Sequence, residues 1–485
     1  MEGKGTKEKR KPTLAVSIVV FLIMLFMLGY LGGVIGLNLK LMCLCCAVLL
    51  VIVGKFYGHS FGDMMGAASE KFKACCAFIM ILCGIGFLIA SYMMAGTAPI
   101  LTIWLSSLIS DKFIIVLSFV LCAAMSTAVG TSFGTLGTLG VIMLSCAQVL
   151  GVNMALEAAA IVGGIIYGGF MSPFNDGLSS IPAIYGCKVN DMLRMNLVPT
   201  MISTVITVIF FTVVGLTGSE NAGVDTSSVV NAFREEVLQY FKPNIIVLVP
   251  LILAIVFVFL KVDIIINLFV SGSVGFLIAV FVQGFSPAVC FEALYSGFST
   301  ETFFPGQEIS EGLMGLLNRG GIFSLADSIL FYSFMVIMAA FLSELGIFDA
   351  IREALVNNIK NIKNAGVLNL VTGLSIGVIT LVTMDGLPTA IISKDIFWDL
   401  WRKNGYHQAG IMKFPQLWGN GLGQLIPWGF CANYFSDVIG VAKEAWIPLC
   451  FSAYMIPVLA CLLGFVGIGI QKLPEEEKAL VEAES

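Results

Sequence analysis

Charge is scarce in this chain. Asp, Glu, Lys and Arg make up 12 % of its 485 residues, about half of what a water-exposed surface carries. A soluble globular protein is therefore excluded. Histidine is nearly absent: His59 and His407 are the two present, and both fall outside the apolar runs. No His-Glu-x-x-His zinc motif exists and no Ser/His pair can meet at membrane depth, which argues against an intramembrane enzyme. Extended polar stretches are also missing. The largest lie near 218–243 and 299–321, too short for an independent soluble domain. The thirteen cysteines sit mostly inside apolar runs, including Cys43, Cys45 and Cys46 of "CLCC". They read as small apolar side chains, because no second pair or histidine stands at metal-ligand spacing. "GNGLGQ" at 419–424 lacks the strand and α/β unit that would make it a phosphate loop.

What is present resembles hydrocarbon: 58 % of residues are apolar and the mean hydropathy is +0.96. Runs long enough to cross roughly 30 Å of lipid lie near 14–36, 74–109, 113–150, 155–187, 195–217, 245–260, 264–283, 322–342, 366–398, 421–441 and 445–470. A shorter one lies near 38–54. Several exceed one span and read as two spans, a re-entrant hairpin or a broken helix. The expectation is an all-α polytopic membrane protein with about 10 to 13 passes. Five Lys or Arg in "MEGKGTKEKRKP" predict a cytoplasmic N-terminus in the cytoplasmic (inner) membrane. The apolar run that follows is too long for a cleavable signal. The chain divides into a basic N-terminus (1–12), a first membrane half (13–217), a polar linker (218–243), a second membrane half (244–471) and a charged tail (472–485). The partners implied are the lipid bilayer and a small ion or small molecule, with no case for nucleic acid.

Residues 163 to 186, "GGIIYGGFMSPFNDGLSSIPAIYG", place Pro, Asn and Asp inside an apolar run. A backbone that leaves helical geometry in a membrane exposes N–H and C=O groups that lipid cannot satisfy, so it must line a cavity. The two halves repeat this pattern in order. "GTSFGT" (130–135) precedes "SPFND", with Pro173 lying 41 residues after Ser132. "MDGLPT" (384–389) precedes "IPWGF", with Pro427 lying 42 residues after Asp385. Each half also has an earlier polar interruption, "AGTAP" (95–99) containing Thr97 and "LSELG" (342–346) containing Glu344. Many secondary transporters consist of two related halves.

Oxygen-bearing side chains beside such breaks complete a nest for a hard cation such as sodium. The candidates are Thr131, Ser132 and Thr135 at the first break, Ser172, Asn175 and Asp176 at the second, and Asp385 in the other half. An acid at membrane depth is costly without a use, which singles out Asp176 and Asp385, with Glu344 beside them. A sodium site at Asp176, Ser132 and Asp385 is the resulting expectation. Pro427 and Trp428 mark the last break. Arg319 in "NRGG" either holds a carboxylate substrate or anchors the end of a span at the headgroups. Asp327 and Asp437 lie within or at the edge of apolar runs, and Gly32 and Gly36 read as helix-packing positions. A channel is disfavoured, since repeated broken helices with acids suggest occlusion more than a continuous pore. No cofactor is expected; sodium and protons would be cargo.

Together "GTSFGTLGTLG", the "GG…YG…MSPFND" segment, "LLNRGG" (316–321) and "LIPWGFCANYFSDVIGV" (425–441) resemble the NhaC family of sodium/proton antiporters over most of the chain. The resemblance implies two inverted repeats, each with a re-entrant hairpin and a discontinuous helix, often in a homodimer. It also implies exchange of sodium for protons by alternating access. The family includes organic-acid antiporters of the malate/lactate kind, so a coupled carrier of a small organic acid or amino acid is the second reading. Three departures stand out. Gly168 and Gly169 stand where the family usually shows Gly-Asp, and Thr383, Met384, Asp385 and Gly386 where it tends to show Thr-Gly-Asp-Gln. "FPQLWGNGLGQ" (414–424) is neutral where the resemblance implies an Arg and an acidic pair.

Overall fold

The computed structural model describes residues 10–217, 226–347, 362, 364–475 and 478. Helices α1 (Leu14–Val34), α2 (Leu39–Phe56), α3 (Phe61–Met94), α4 (Thr97–Leu108), α5 (Asp111–Val129), α6 (Ser132–Val149), α7 (Met154–Met171), α8 (Asp176–Ile184) and α9 (Val189–Thr217) precede the linker. The linker holds α10 (Thr226–Tyr240), and after it come α11 (Ile245–Phe259), α12 (Ile264–Gln283), α13 (Pro287–Ser296), α14 (Glu311–Leu317) and α15 (Ile322–Glu344). The last five are α16 (Ala365–Thr383), α17 (Gly386–Lys403), α18 (Ala409–Phe414), α19 (Phe430–Ile439) and α20 (Phe451–Val466). Among the described residues, 9 helices are long and apolar enough to cross a membrane, or up to 11 if each of two bent pairs is one span. Two shorter apolar helices, α4 and 365–381, stand beside them. The protein is thus an all-α polytopic membrane protein.

The overlong apolar runs are helices with an interruption. Run 74–109 breaks at Gly96, 113–150 at Gly130, 155–187 between Met171 and Asp176, and 366–398 at Met384 and Asp385. Run 38–54 is not cut short. Asn38 caps α2 by accepting from the Lys40 and Leu41 N–H groups, and Lys55 in the last turn carries the helix to 18 residues. A basic residue there suits the helix dipole and the headgroup region. Residues 1–9, 218–225, 348–361 and most of the tail lie outside the described residues. The rest of the expected linker is mostly α10, which packs on α4 and α6 and meets α11 at 98°.

Helices α5 and α7 form the tightest pair. A Cβ at Gly164 would lie 2.5 Å from Phe119 O, and one at Gly168 would lie 2.3 Å from Ser126 Cβ. Later residues of α7 meet later residues of α5, so the two helices run parallel and their broken ends come side by side. Ser126 Oγ donates to Ile165 O across this contact (2.8 Å). In lipid such close approach replaces the hydrophobic drive that holds helices together in water. In the second half, Lys413 on α18 is 1 % exposed. Its ammonium donates to Asn369 Oδ1 and Gly469 O (both 2.8 Å), while Asn369 Nδ2 donates to Ala460 O and Cys461 O. A buried cation held by neutral oxygens thereby ties α16, α18 and α20.

Gly168→Val should cost at least about 2 kcal/mol through overpacking and sharply reduce the monodisperse fraction in size-exclusion chromatography. Gly66→Val, where a Cβ meets nothing within 4 Å, should leave that fraction unchanged.

Candidate functional site

Two pairs of breaks have the same backbone shape. Gly130 and Met384 follow α5 and α16 in the left-handed region, at φ 83° and 52°. Thr131 and Asp385 come next, both extended, and α6 and α17 start one residue later. Met384 is one of two non-glycine residues with positive φ among the described residues, a strain that persists only where the surroundings over-determine it. The register pairs Thr131, rather than Ser132, with Asp385, and Pro173 and Pro427 then each follow by 42 residues. At the prolines the match continues. The Asn175 N–H bonds Ser172 O (3.2 Å), the Gly429 N–H bonds Ile426 O (2.8 Å), and α8 and α19 begin at the next residue. Equal geometry carries unequal chemistry: Thr131 matches Asp385, Asn175 matches Gly429, and Asp176 matches Phe430.

The breaks meet. Asn175 Oδ1 accepts from the Gly177 N–H (3.0 Å) and caps α8, while its Nδ2 donates to Gly130 O (3.2 Å). Buried Ser172 Oγ accepts from the Phe174 N–H (3.2 Å). Two amides reach in from the other half. Gln416 Nε2 donates to Gly169 O (3.1 Å), Asn420 Nδ2 donates to Gln416 Oε1 (2.8 Å), and Asn420 Oδ1 accepts from the Gly386 N–H (3.1 Å). Asp385 accepts from the Leu387 N–H (2.7 Å), and its carbonyl accepts from the Thr389 hydroxyl (2.6 Å). Asp385 is exposed, while Gly386 beside it is buried. Tyr332 on α15 and Cys431 on α19 stand close enough to feel its charge. Gly169 faces the same place: a Cβ there would meet Asn175 Nδ2 at 3.7 Å and Ser132 Oγ at 3.9 Å, ordinary contacts. The glycine that replaces the acid implied by resemblance therefore leaves usable room.

The expected residues divide. Ser132, Ser172 and Asn175 come together, with Thr131 in the same break, and the backbone beside Asp385 is linked to them through Asn420 and Gln416; the side chain of Asp176 lies outside what the structure describes. Thr135 Oγ1 donates to Thr131 O (3.0 Å) and helps hold that break. Thr97 is not brought to this centre; its hydroxyl donates to Val247 O (2.5 Å), binding α4 to α11. Glu344 is not brought there either: it lies 3.3 Å from His59 Nδ1, at the turn between α2 and α3. A helix-end acid found a basic partner on a neighbouring loop. Trp428 Nε1 donates to Leu381 O (3.4 Å), and its ring packs on Gly29 and Gly33 of α1. Sequence reading missed the roles of Gln416, Asn420, Tyr332 and Cys431. Amides inside "FPQLWGNGLGQ" were visible, but read as neutral replacements.

Two cavities flank the breaks. One, of about 490 Å³, is lined by Thr131, Pro173, Phe174 and Lys261, with the Lys261 ammonium 4.8 Å from the Phe174 ring centre. The other, of about 340 Å³, contains Arg319 and Asp437. Arg319 donates to Gly315 O (2.8 Å) and Ile439 O (3.4 Å). Between the Pro427 break and this second cavity, along α19, Phe430, Tyr434 and Phe435 pack with Phe78, Phe133 and Tyr332.

Broken helices from two like halves, meeting around oxygen-rich side chains with cavities and an aromatic cluster nearby, are the architecture of a secondary transporter. The sequence profile of the Na+/H+ antiporter family matches residues 181–468, and the chain belongs to that family. The Na+/H+ antiporter NhaC of Alkalihalophilus pseudofirmus is similar at 28 % identity, covering 88 % of this chain and 90 % of that one. The malate-2H+/Na+-lactate antiporter of Bacillus subtilis is similar at 26 % identity over 95 % and 96 %. The arginine/ornithine antiporter ArcD of Halobacterium salinarum is similar at 23 % over 91 % and 90 %.

Gly169→Asp should fold and lower the sodium concentration for half-maximal transport several-fold, because a new carboxylate would stand beside Ser132 and Asn175. Gln416→Ala, which removes the hydrogen bond between the two halves, should lower maximal rate instead. Sodium titrations in liposomes separate the two.

Proposed function

We propose that this protein exchanges sodium for protons by alternating access, with Asp385 as the group for which the two cations compete. The supporting observation is the run of contacts from Gly169 through Gln416 and Asn420 to Gly386, which sets the acid of one half against the neutral oxygens of the other. Asp385 supplies the negative charge; Ser132 and Thr131 supply neutral oxygens suited to a hard cation; Asn175 and Gln416 hold the broken backbone in place. A bare carboxylate or a bare cation is costly at membrane depth. The site therefore changes sides when occupied by sodium or by a proton and not when empty, which is antiport. The aromatic cluster on α19 acts as the seal, and the cavities at Lys261 and Arg319 are the two ends of the path. Sodium and protons are cargo rather than cofactors, and the protein is not an enzyme. Five Lys or Arg before the first span support a cytoplasmic N-terminus and a location in the cytoplasmic membrane.

A second reading, a coupled carrier of a small organic acid or amino acid, is favoured by Arg319. Its guanidinium has carbonyl partners but no carboxylate among the described residues, and Asp437 lines the same cavity. A small carboxylate would fill that vacancy with a bidentate pair.

Asp385→Asn should reduce sodium-driven proton flux in liposomes at least about 100-fold while the protein stays monodisperse. Thr131→Ala with Ser132→Ala should raise the half-maximal sodium concentration more than it lowers the maximal rate. Wild-type flux that requires an added organic anion or amino acid, and that Arg319→Gln abolishes, would replace the first reading by the second.

A further inference from the structure

Glu157 has no part in the site described above. It lies in the first turn of α7, twelve residues before Gly169, or about 18 Å along the helix axis. Its side chain is 0 % exposed, and neither carboxylate oxygen has a hydrogen-bond partner. Ser118 on α5 stands beside it, and the Ser118 hydroxyl is likewise without a partner. The titratable groups facing it are the thiols of Cys122 on α5 and Cys146 on α6. Helices α9 and α20 and residues 443–449 also pack on α7, and none of them presents a charged group that acts on Glu157 among the described residues. An ionised carboxylate in such a place has neither water nor a cation, and no donor within reach other than the single Ser118 hydroxyl, a cost no helix pair in lipid can absorb. A carboxylic acid is neutral, and its O–H can donate to Ser118 Oγ after a small rotation. An open cavity of about 610 Å³ lies at the same end of α6, lined by Gln148, two residues beyond Cys146, and by Glu236 of α10; Gln148 Oε1 is also without a partner.

We propose that Glu157 is a second proton-binding site, which holds a proton in the arrangement described here and releases it to water once per transport cycle. The ligand is a proton alone: the O–H bond breaks, the proton passes to water, and the carboxylate left behind is hydrated until it is reprotonated. The sodium site at Asp385 would exchange its own proton independently, so Glu157 adds one charge to the cycle. This coupling rests on the antiport reading; the protonation itself does not.

Two measurements on the full-length protein test it. Infrared difference spectra of wild type and Glu157→Gln, both monodisperse, should show the carbonyl stretch of a protonated carboxylic acid lost in the variant, with or without sodium. Counting protons per sodium in liposomes should give a ratio lower by one in Glu157→Gln, with a matching loss of voltage dependence. An unchanged infrared band means that Glu157 is ionised and overturns the proposal. A lost band with an unchanged proton count also overturns it, because the proton would then be fixed and structural. Absence of sodium-driven flux in wild type would refute the antiport reading and the coupling with it, while the infrared band would still decide whether Glu157 carries a proton.

Discussion

Four interruptions of helical backbone in an apolar protein must each find partners for the peptide groups they free, because lipid offers none. The rest of the structure depends on how that is done. Gly130 O is taken by Asn175, Gly169 O by Gln416, the Gly386 N–H by Asn420, and Leu381 O by Trp428. Asn433 Nδ2 bonds Gly429 O beside the last break (2.6 Å). The first four of these side chains come from another break or from the stretch leading to one. The breaks thus support one another, and the bond from Gln416 to Gly169 O joins the two halves.

The same economy explains the centre's chemistry. Matched positions have matched geometry, yet one half offers hydroxyls and an amide where the other offers Asp385. Two neutral amides, Gln416 and Asn420, occupy the stretch where resemblance implied charged groups, and they serve the backbone instead. Gly169 leaves open the space of a second carboxylate. Elsewhere Lys40 pairs with Asp327, and His59 with Glu344. Lys413 and Glu157 are fully buried, one held by neutral oxygens and the other without a hydrogen-bond partner.

Much of this was legible beforehand. Scarce charge, long apolar runs and their punctuation at "GTSFG", "SPFND", "MDG" and "IPWG" point to a bundle of membrane helices with paired breaks, because helix length and backbone satisfaction in lipid leave few alternatives. Ser132, Asn175 and Asp385 were identifiable as polar residues beside those breaks. Glu344 and Thr97 looked equivalent by the same criterion, and only their neighbours, His59 and Val247, showed that they serve elsewhere. Glu157 drew no notice, since an acid three residues inside a helix start reads as a first-turn residue facing water.

The sequence by itself determined the solvent, the helices and the points where they break, because each is a local matter of composition and backbone hydrogen bonding. Tertiary structure alone decided which breaks face one another, that Thr131 rather than Ser132 matches Asp385, and that Gln416, held by Asn420, joins the halves. It also decided that Glu157 is sealed from water. Those are properties of residues far apart in the chain, set by how closely glycine-bearing helices such as α5 and α7 can approach, and no local pattern records them.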